Sequence, residues 1–180
     1  MPHESVIRLD ASGTARLESD RWSFAADATL PAATGALAVP LAAWHEHRAT
    51  LLARSGPVGV WLAPSDDPAA LRADLDALEL VAVHFPKFTD GRGYSIATLL
   101  RKRLGWRGEL RAFGDVGRDQ LFYLRRCGFD AFKLAPHRDP QAALASLEPF
   151  TVRYQGAVDD PVPLFRKRLA AGQRPEGKRP

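Results

Sequence analysis

The sequence predicts an α/β protein with a parallel sheet of about five βα units, arranged as an open sheet or as a partial TIM-like barrel. Short apolar runs begin near positions 58, 80, 109, 130 and 150, and amphipathic stretches lie between them. Spacings of roughly 20 to 30 residues are typical of successive βα units joined by right-handed crossovers. Five units are too few to close an eight-stranded βα barrel, so an open sheet and a partial barrel are the two arrangements that remain.

The five apolar runs are the expected strands. They are Val58–Leu62, Leu80–Phe85, Glu109–Phe113, Asp130–Lys133 and Phe150–Tyr154. Helices are expected near residues 40–54, 68–78, 94–104, 118–127 and 140–147, where apolar residues recur at intervals of three or four. Two of these helices end in cations followed by Gly105 or Gly128, which predicts a left-handed glycine after each helix.

Three regions are expected along the chain. Residues 1–38 are expected to form an irregular N-terminal extension. Within it, short strands are expected at Val6–Leu9 and Arg21–Phe24, and a linker is expected over Pro31–Ala38. Residues 39–165 predict a single α/β domain. The basic residues 166–180 contain proline and glycine, and this composition is typical of a disordered tail.

The bulk composition bounds the class of protein. A chain of 180 residues with 46% hydrophobic and 26% charged residues suits one well-buried domain. No apolar run approaches the length of about 18 residues that a membrane-spanning helix needs. The N-terminal residues lack a signal-peptide core and Cys127 is the only cysteine, so we expect a cytoplasmic protein without an internal disulfide.

The positive charge is concentrated in two parts of the chain. Residues 87–133 carry a net charge of +6 and residues 166–180 carry +5, whereas residues 1–86 carry −5. Many of the central arginines fall at expected helix C-termini, where cations favour the helix dipole. The tail lacks interleaved aromatic residues, so a nucleic-acid partner is not expected.

Two polar, glycine-containing turns follow consecutive expected strands, over residues 86–93 and 114–117. The carboxyl ends of parallel strands gather at one edge of a sheet, so we expect these turns to face each other. Glycine permits positive φ and a close approach of the backbone to a ligand. The free N–H groups at the start of a helix attract anions, and an arginine guanidinium can donate two parallel hydrogen bonds to one oxyanion. The candidate anion-binding residues are Lys87, Asp90, Gly91, Arg92, Gly93, Tyr94, Ser95 and Arg118.

A structural interpretation of the same turns stays open. Asp90 would cap the following helix, and Arg92 would pair with Asp115. Asp115 and Asp119 are candidate catalytic bases, although capping and ion pairing are the more frequent uses of such residues. His84, on the opposite strand face from its neighbours, is expected to be structural, and no histidine or cysteine spacing predicts a metal site.

One long block of the sequence resembles a bacterial family catalogued as domain of unknown function 934. The block, residues 85–132, reads FPKFTDGRGYSIATLLRKRLGWRGELRAFGDVGRDQLFYLRRCGFDAF. The upstream stretch GVWLAPSDDP and the downstream PLFRKR extend the resemblance to about residues 39–168. Gly117 departs from the family pattern, in which a bulkier aliphatic residue is expected. Members are commonly labelled as oxidoreductases probably involved in sulfite reduction, so the resemblance implies a place in assimilatory sulfate and sulfite reduction.

The residues themselves supply no electron-carrier motif. The sequence contains no GxGxxG turn, cysteine cluster or haem-attachment motif, and the cofactor is left unassigned. The expected function is that of an accessory or binding protein that presents an anion-binding face to a small sulfur oxyanion or phosphate-bearing ligand. Its expected partner is sulfite reductase or another sulfur-assimilation enzyme. The alternative is a stand-alone lyase or hydrolase that acts on a small anionic substrate at the carboxyl ends of the strands.

Overall fold

A computed structural model describes residues 5–27, 34–147 and 152–172. Its α/β fold is built on one sheet of eight strands. The strands are β1 (Ser5–Leu9), β2 (Ala15–Ser19), β3 (Trp22–Phe24), β4 (Ala36–Pro40), β5 (Val58–Leu62), β6 (Leu80–Phe85), β7 (Glu109–Gly114) and β8 (Ala131–Phe132). Their order across the sheet is β2-β1-β8-β7-β6-β5-β4-β3.

The sheet is mixed, which corrects the purely parallel sheet of about five units. Strands β3 to β8 are parallel and lie side by side in chain order, but β1 pairs antiparallel with both β2 and β8. The two short strands expected in the N-terminal extension are present as β1 and β3. The extension is nevertheless not irregular, because it also contributes β2 and most of β4 and all four strands belong to this sheet. The expected linker is strand from Ala36 onward, and its residues 31–33 lie outside the described part of the chain.

The sheet curls strongly, as in half of a barrel. Its two edge strands, β2 and β3, are consecutive in the chain and are separated only by Asp20 and Arg21. Those residues reach about 11 Å at most, whereas seven strand spacings in a flat sheet would take about 34 Å. The rings of Phe24 in β3 and Phe113 in β7, four strand positions apart, lie 4.7 Å from centroid to centroid. The face that carries these rings is therefore the concave one.

Four helices pack on the convex face, α1 (Leu41–Ala53), α2 (Arg92–Lys102), α3 (Leu121–Cys127) and α4 (Pro140–Ala143). A fifth helix, α5 (Leu164–Gly172), follows them, and its Phe165 and Leu169 side chains are exposed. Apolar residues of α1, α2 and α3 form the main core with alternate residues of the strands, such as Val81, Val83 and Phe85 in β6. The intervening strand residues, such as Leu80 and Ala82, face the concave side. This two-faced alternation is the geometry of a βα barrel wall.

Several expected elements have different forms. The segment after β5 contains two 3-10 turns, Pro68–Leu71 and Leu75–Ala77, instead of a helix. Residues 152–154 are not a strand, and residues 150–151 of that expected run lie outside the described residues. Helix α5 occupies part of the expected disordered tail, and residues 173–180 lie outside the described residues. Gly105 and Gly128 have φ of +72° and +107°, which confirms the left-handed helix ends.

A buried group of charges lies on the concave face. The Arg111 guanidinium, 1% exposed, contacts Glu109 Oε1 at 2.6 Å and Asp20 Oδ1 at 2.7 Å. Lys133 Nζ lies 3.3 Å from Asp20 Oδ2, and Arg8 reaches the other oxygen of Glu109 at 3.1 Å. Asp20 thus ties the junction of the two edge strands to the middle of the sheet.

No helix among the described residues is long and apolar enough to cross a bilayer.

Candidate functional site

The two polar turns meet at the carboxyl edge of the sheet. Strands β6 and β7 are parallel neighbours, with Phe85 opposite Gly114 at their ends. The backbone N–H of Phe88 donates to Asp115 Oδ2 at 2.9 Å, and the N–H of Asp115 donates to the Phe85 carbonyl at 2.7 Å. Asp115 therefore holds the first turn against the second. We call residues 86–95 and 114–120 the rim.

Gln120 is a second connection within the rim, and the sequence interpretation missed it. Its amide nitrogen donates to the Phe88 carbonyl at 3.3 Å and to the Tyr94 hydroxyl at 3.2 Å, while its oxygen accepts from Gly117 N at 2.9 Å. The Gln120 side chain is buried, and burial raises the pKa of Tyr94. A buried amide can use both its donor and its acceptor groups, which suits a connector between turns.

Arg92 pairs with Asp90 inside the first turn. The guanidinium donates to both carboxylate oxygens, at 3.0 Å and 2.8 Å, and the Arg92 side chain stays 62% exposed. The hydrogen bond to Arg92 lowers the pKa of Asp90, so this carboxylate stays charged. Asp90 also accepts from Arg92 N at 3.2 Å, near the start of α2. The alternative pairing of Arg92 with Asp115 is therefore wrong.

The two glycines of the first turn do not adopt positive φ, which corrects the reason given for them. Gly91 has φ of −83°, and neither Gly91 nor Gly93 is among the described glycines with positive φ. A Cβ at Gly93 would lie 2.5 Å from Cζ of the buried Phe85 ring. Gly93 thus allows α2 to approach the strand closely. At Gly91 the nearest atom would be 4.0 Å away, so a side chain has room there.

The remaining predicted site residues are exposed around this edge. Lys87 and Ser95 lie in or next to the first turn, and Arg118 and Asp119 form the start of the 3-10 turn that precedes α3. The anion-binding role of the rim and the catalytic roles of Asp115 and Asp119 stay predictions. Within the described residues, no group of three or more His, Cys, Asp or Glu side chains has the arrangement of a metal site.

A cleft of about 550 Å³ lies on the concave face beside the rim. Its walls include Trp22 and Phe24 from β3, Phe113 and Gly114 from β7, and Lys133 just after β8. The Lys133 ammonium lies 5.6 Å from the centre of the Phe24 ring. Three aromatic side chains and one charged side chain thus line the cleft, a composition typical of small-molecule sites.

The sequence carried a signal for this concave face that the interpretation did not use. In Glu109–Phe113 the charged and aromatic residues occupy alternate positions, as do the tryptophan and phenylalanine of Trp22–Phe24. Alternate strand residues point to one face, so these positions identify a second, polar-aromatic face opposite the apolar one. The helix-covered face was predicted from the apolar residues alone.

His84 lies between two aromatic rings on the concave face. Its imidazole centroid is 4.9 Å from Phe113 and 6.0 Å from Trp61. Desolvation by burial lowers the pKa of His84 below the ordinary value of 6.5. The imidazole is therefore neutral at physiological pH, and a neutral imidazole offers one nitrogen as a proton acceptor.

The titration of His84 is a test of this environment. We expect an imidazole pKa below 6.5 in an NMR titration, and an increase toward 6.5 when Phe113→Ala opens one side of the ring. The unfolded chain binds this proton more readily, so His84 should lower stability as pH falls from about 6.5 through its folded pKa. Denaturation of wild type and His84→Gln at several pH values should show this difference. A folded pKa at or above 6.5 would contradict the burial.

Cys127 is a packed thiol at the end of α3. Burial raises the pKa of its thiol, and the Cys127 residue is 8% exposed. Thr98 and Tyr123 are its side-chain hydrogen-bond neighbours. A thiol in this environment is protonated at neutral pH, which does not favour nucleophilic chemistry.

Comparison with known proteins identifies a family. No curated protein matches this chain significantly. A family model described as "Bacterial protein of unknown function (DUF934)" matches residues 59–165, from β5 to the start of α5. The match includes the whole rim, His84, Phe113 and Lys133. The chain belongs to the DUF934 family of bacterial proteins of unknown function.

Proposed function

We propose that this chain is an accessory binding protein of assimilatory sulfate and sulfite reduction, and that its rim presents an anion-binding face to a small sulfur oxyanion or a phosphate-bearing ligand. In this proposal it acts with sulfite reductase or another sulfur-assimilation enzyme. The pathway is supported by what the resemblance to its family implies. The ligand class is supported by the residues of the rim.

The observation that carries the proposal is the side-by-side position of two polar turns at the carboxyl ends of β6 and β7. Parallel α/β sheets bind ligands at this edge. The exposed cations Lys87 and Arg118 flank the turns, and the guanidinium of Arg92 is accessible although it is paired with Asp90. An incoming oxyanion can share the guanidinium with Asp90, because arginine has five N–H donors.

The proposal is tested with Arg92→Ala in a strain whose growth on sulfate depends on this protein. We expect the variant to lose growth on sulfate and to keep growth on cysteine. Its melting temperature should stay close to that of wild type, because an exposed ion pair contributes little to stability. The matched control is Arg103→Ala, which removes an exposed arginine from the opposite end of α2 and should support growth.

Two results would contradict the proposal. Deletion of the gene without any effect on sulfate use would remove the pathway. Growth of the Arg92→Ala strain at the wild-type rate would remove the rim as its functional surface. Purification of tagged protein from sulfate-grown cells should also recover a sulfur-assimilation enzyme, in smaller amounts from Arg92→Ala cells than from Arg103→Ala cells.

A second candidate function is a stand-alone lyase or hydrolase, and the environment of His84 favours it. A neutral imidazole at the end of β6, packed behind the cleft-lining ring of Phe113, is suited to accept a proton from a substrate bound at this end of the sheet. This alternative requires turnover of a small anionic substrate by the purified protein alone. It also requires that His84→Gln abolish turnover, whereas the accessory role predicts that the protein has no activity without its partner.

A further inference from the structure

The cleft at the mouth of the curled sheet shares Gly114 with the rim, and the accessory binding function proposed above does not use the cleft. We propose that this cleft binds a planar heteroaromatic ligand that carries an anionic group, as nucleotides do. The ring would lie against the aromatic wall, and the anionic group would contact Lys133. Four properties of the cleft lead to this inference.

The first property is its position and size. The cleft lies on the concave face at the carboxyl ends of two neighbouring parallel strands. Gly114 is the last residue of β7, and Lys133 directly follows β8. βα barrels bind their ligands at this carboxyl end, and ligand pockets usually occupy about 300–1,000 Å³. A volume of about 550 Å³ lies within this range. It exceeds what a small oxyanion alone would fill.

The second property is the aromatic wall. Phe24 and Phe113 are both half-buried, line the cleft, and pack with their rings tilted by 42°. Trp22 extends the same wall. Ring faces held in place by packing are surfaces on which a flat ligand can stack at a low cost in side-chain entropy.

The third property is a cation held in position by the buried charges. Lys133 Nζ lies 3.3 Å from Asp20 Oδ2, and Asp20 is itself fixed by Arg111 at 2.7 Å and by the backbone N–H of Trp22 at 3.1 Å. The Lys133 side chain is 24% exposed, whereas that of Asp20 is 2% exposed. Among Asp20, Arg111 and Lys133, the Lys133 side chain is therefore the most accessible, and an anionic ligand group at the cleft would contact its ammonium group.

The fourth property is a donor without an acceptor. Trp22 is 5% exposed, and its indole Nε1 has no hydrogen-bond acceptor within the described parts of the chain. Of the other tryptophans, Trp61 donates to the Ala25 carbonyl at 2.9 Å and Trp44 donates to Asp74 at 2.8 Å. The indole nitrogen of Trp106 also lacks an acceptor among the described residues, but Trp22 is the one of the two that lines the cleft. Buried donors are normally paired. Because this nitrogen has almost no exposed surface, a ring nitrogen or carbonyl oxygen of the ligand would supply the acceptor only after a small shift of the indole, and such a contact favours a heteroaromatic ring over a hydrocarbon.

Calorimetric titration with two nucleotides tests the ligand class. Adenosine 5′-monophosphate and flavin mononucleotide both combine a heteroaromatic ring with a phosphate. We expect at least one of them to bind with a dissociation constant below about 1 mM, near −4 kcal/mol or tighter. The matching nucleoside, which lacks the phosphate, and ribose 5-phosphate, which lacks the ring, should each bind at least tenfold more weakly. Failure of both nucleotides to bind, or equal binding of ribose 5-phosphate, would overturn the proposal.

Two variants separate the roles of the anion contact and the ring contact. Lys133→Gln should weaken nucleotide binding at least tenfold and leave nucleoside binding unchanged. Phe113→Leu leaves Lys133 and Asp20 in place, and it should weaken nucleotide and nucleoside by the same factor. Lys102→Gln removes an exposed lysine from α2 on the convex side and should bind as wild type. Equal affinity of Lys133→Gln and Lys102→Gln would overturn the proposal.

The indole N–H signals give a readout that does not depend on the stability of the variants. The chain has four tryptophans, so an ¹⁵N spectrum has four indole signals, and Trp22→Phe identifies the one from Trp22. We expect the nucleotide to shift the Trp22 signal most and the Trp44 signal least. A larger shift at Trp44 would place the ligand elsewhere. Arg92→Ala should keep this response even if it fails in sulfate growth, so the two proposals are tested separately.

Discussion

Asp20→Ala is expected to lower the free energy of unfolding by about 3 kcal/mol. Asp20 is 2% exposed and pairs with both Arg111 and Lys133, and its Oδ1 also accepts from the N–H of Trp22. Removing one partner of a buried ion pair typically costs about 3–5 kcal/mol, because the other charge stays buried without compensation. We expect the lower end of this range, since Arg111 keeps its contact with Glu109 at 2.6 Å.

The measurement is urea denaturation of Asp20→Ala beside Asp76→Ala, an exposed aspartate between β5 and β6. The control should change stability by less than about 0.5 kcal/mol, as is usual for surface substitutions. The variant should also lose nucleotide affinity, because Asp20 positions the Lys133 ammonium. A loss of stability below about 1 kcal/mol for Asp20→Ala would mean that the edges of the sheet are not held together by this buried pair.

The same aspartate explains why the sheet was predicted only in part. Strands β5, β6 and β7 are apolar on alternate positions and packed under helices, so their runs stand out in the sequence. Strands β1, β2 and β3 have three to five residues each, and β2 and β3 are the edges of the sheet. The contacts that join them to the rest of the sheet include distant ones, because Ile7 in β1 pairs with Phe132 in β8 and Asp20 reaches Arg111 across 91 positions. Local patterns carry no information about such pairings.

The rim was predicted better than its internal contacts. The order of β6 and β7 follows from the tendency of consecutive βα strands to be neighbours, and this placed the two turns together. The partner of Arg92 could not be predicted, because Asp90 and Asp115 are both close in the fold. Side-chain geometry decides between them, and only Asp90 accepts the two hydrogen bonds of the guanidinium. Gly93 was expected to serve a turn through a positive φ. The position instead requires glycine because the Phe85 ring lies beneath it and leaves no room for a side chain.

The concave site was missed because its residues come from separate parts of the sequence. Trp22 and Phe24 belong to a short expected strand that was not assigned to the main sheet, and Lys133 follows a strand of only two residues. Each side chain has an ordinary structural explanation when it is considered alone. Only the curl of the sheet brings them into one cleft, and that curl depends on the two-residue junction between β2 and β3.

Gly114→Ala is expected to destabilise the protein by about 3 kcal/mol or more. Gly114 has φ of +102°, a region that residues with a side chain rarely adopt at a cost of about 1–3 kcal/mol. A Cβ there would also lie 2.4 Å from the Phe85 carbonyl oxygen and 2.8 Å from His84 Cδ2. Neither neighbour can move freely, because the carbonyl accepts from Asp115 N and the imidazole lies between Trp61 and Phe113. Overpacking of this kind adds about 1–3 kcal/mol.

Gly117→Ala is the matched control, three residues further along the same turn. Gly117 has φ of −105° and ψ of 161°, an extended conformation that any residue adopts. Its added Cβ would meet Asp119 Oδ1 at 2.6 Å, and this is the end of a flexible, exposed side chain that can rotate away. Denaturation should therefore show a large loss for Gly114→Ala and a change within about 1 kcal/mol for Gly117→Ala. The opposite ranking would mean that the turn after β7 does not have the backbone described here.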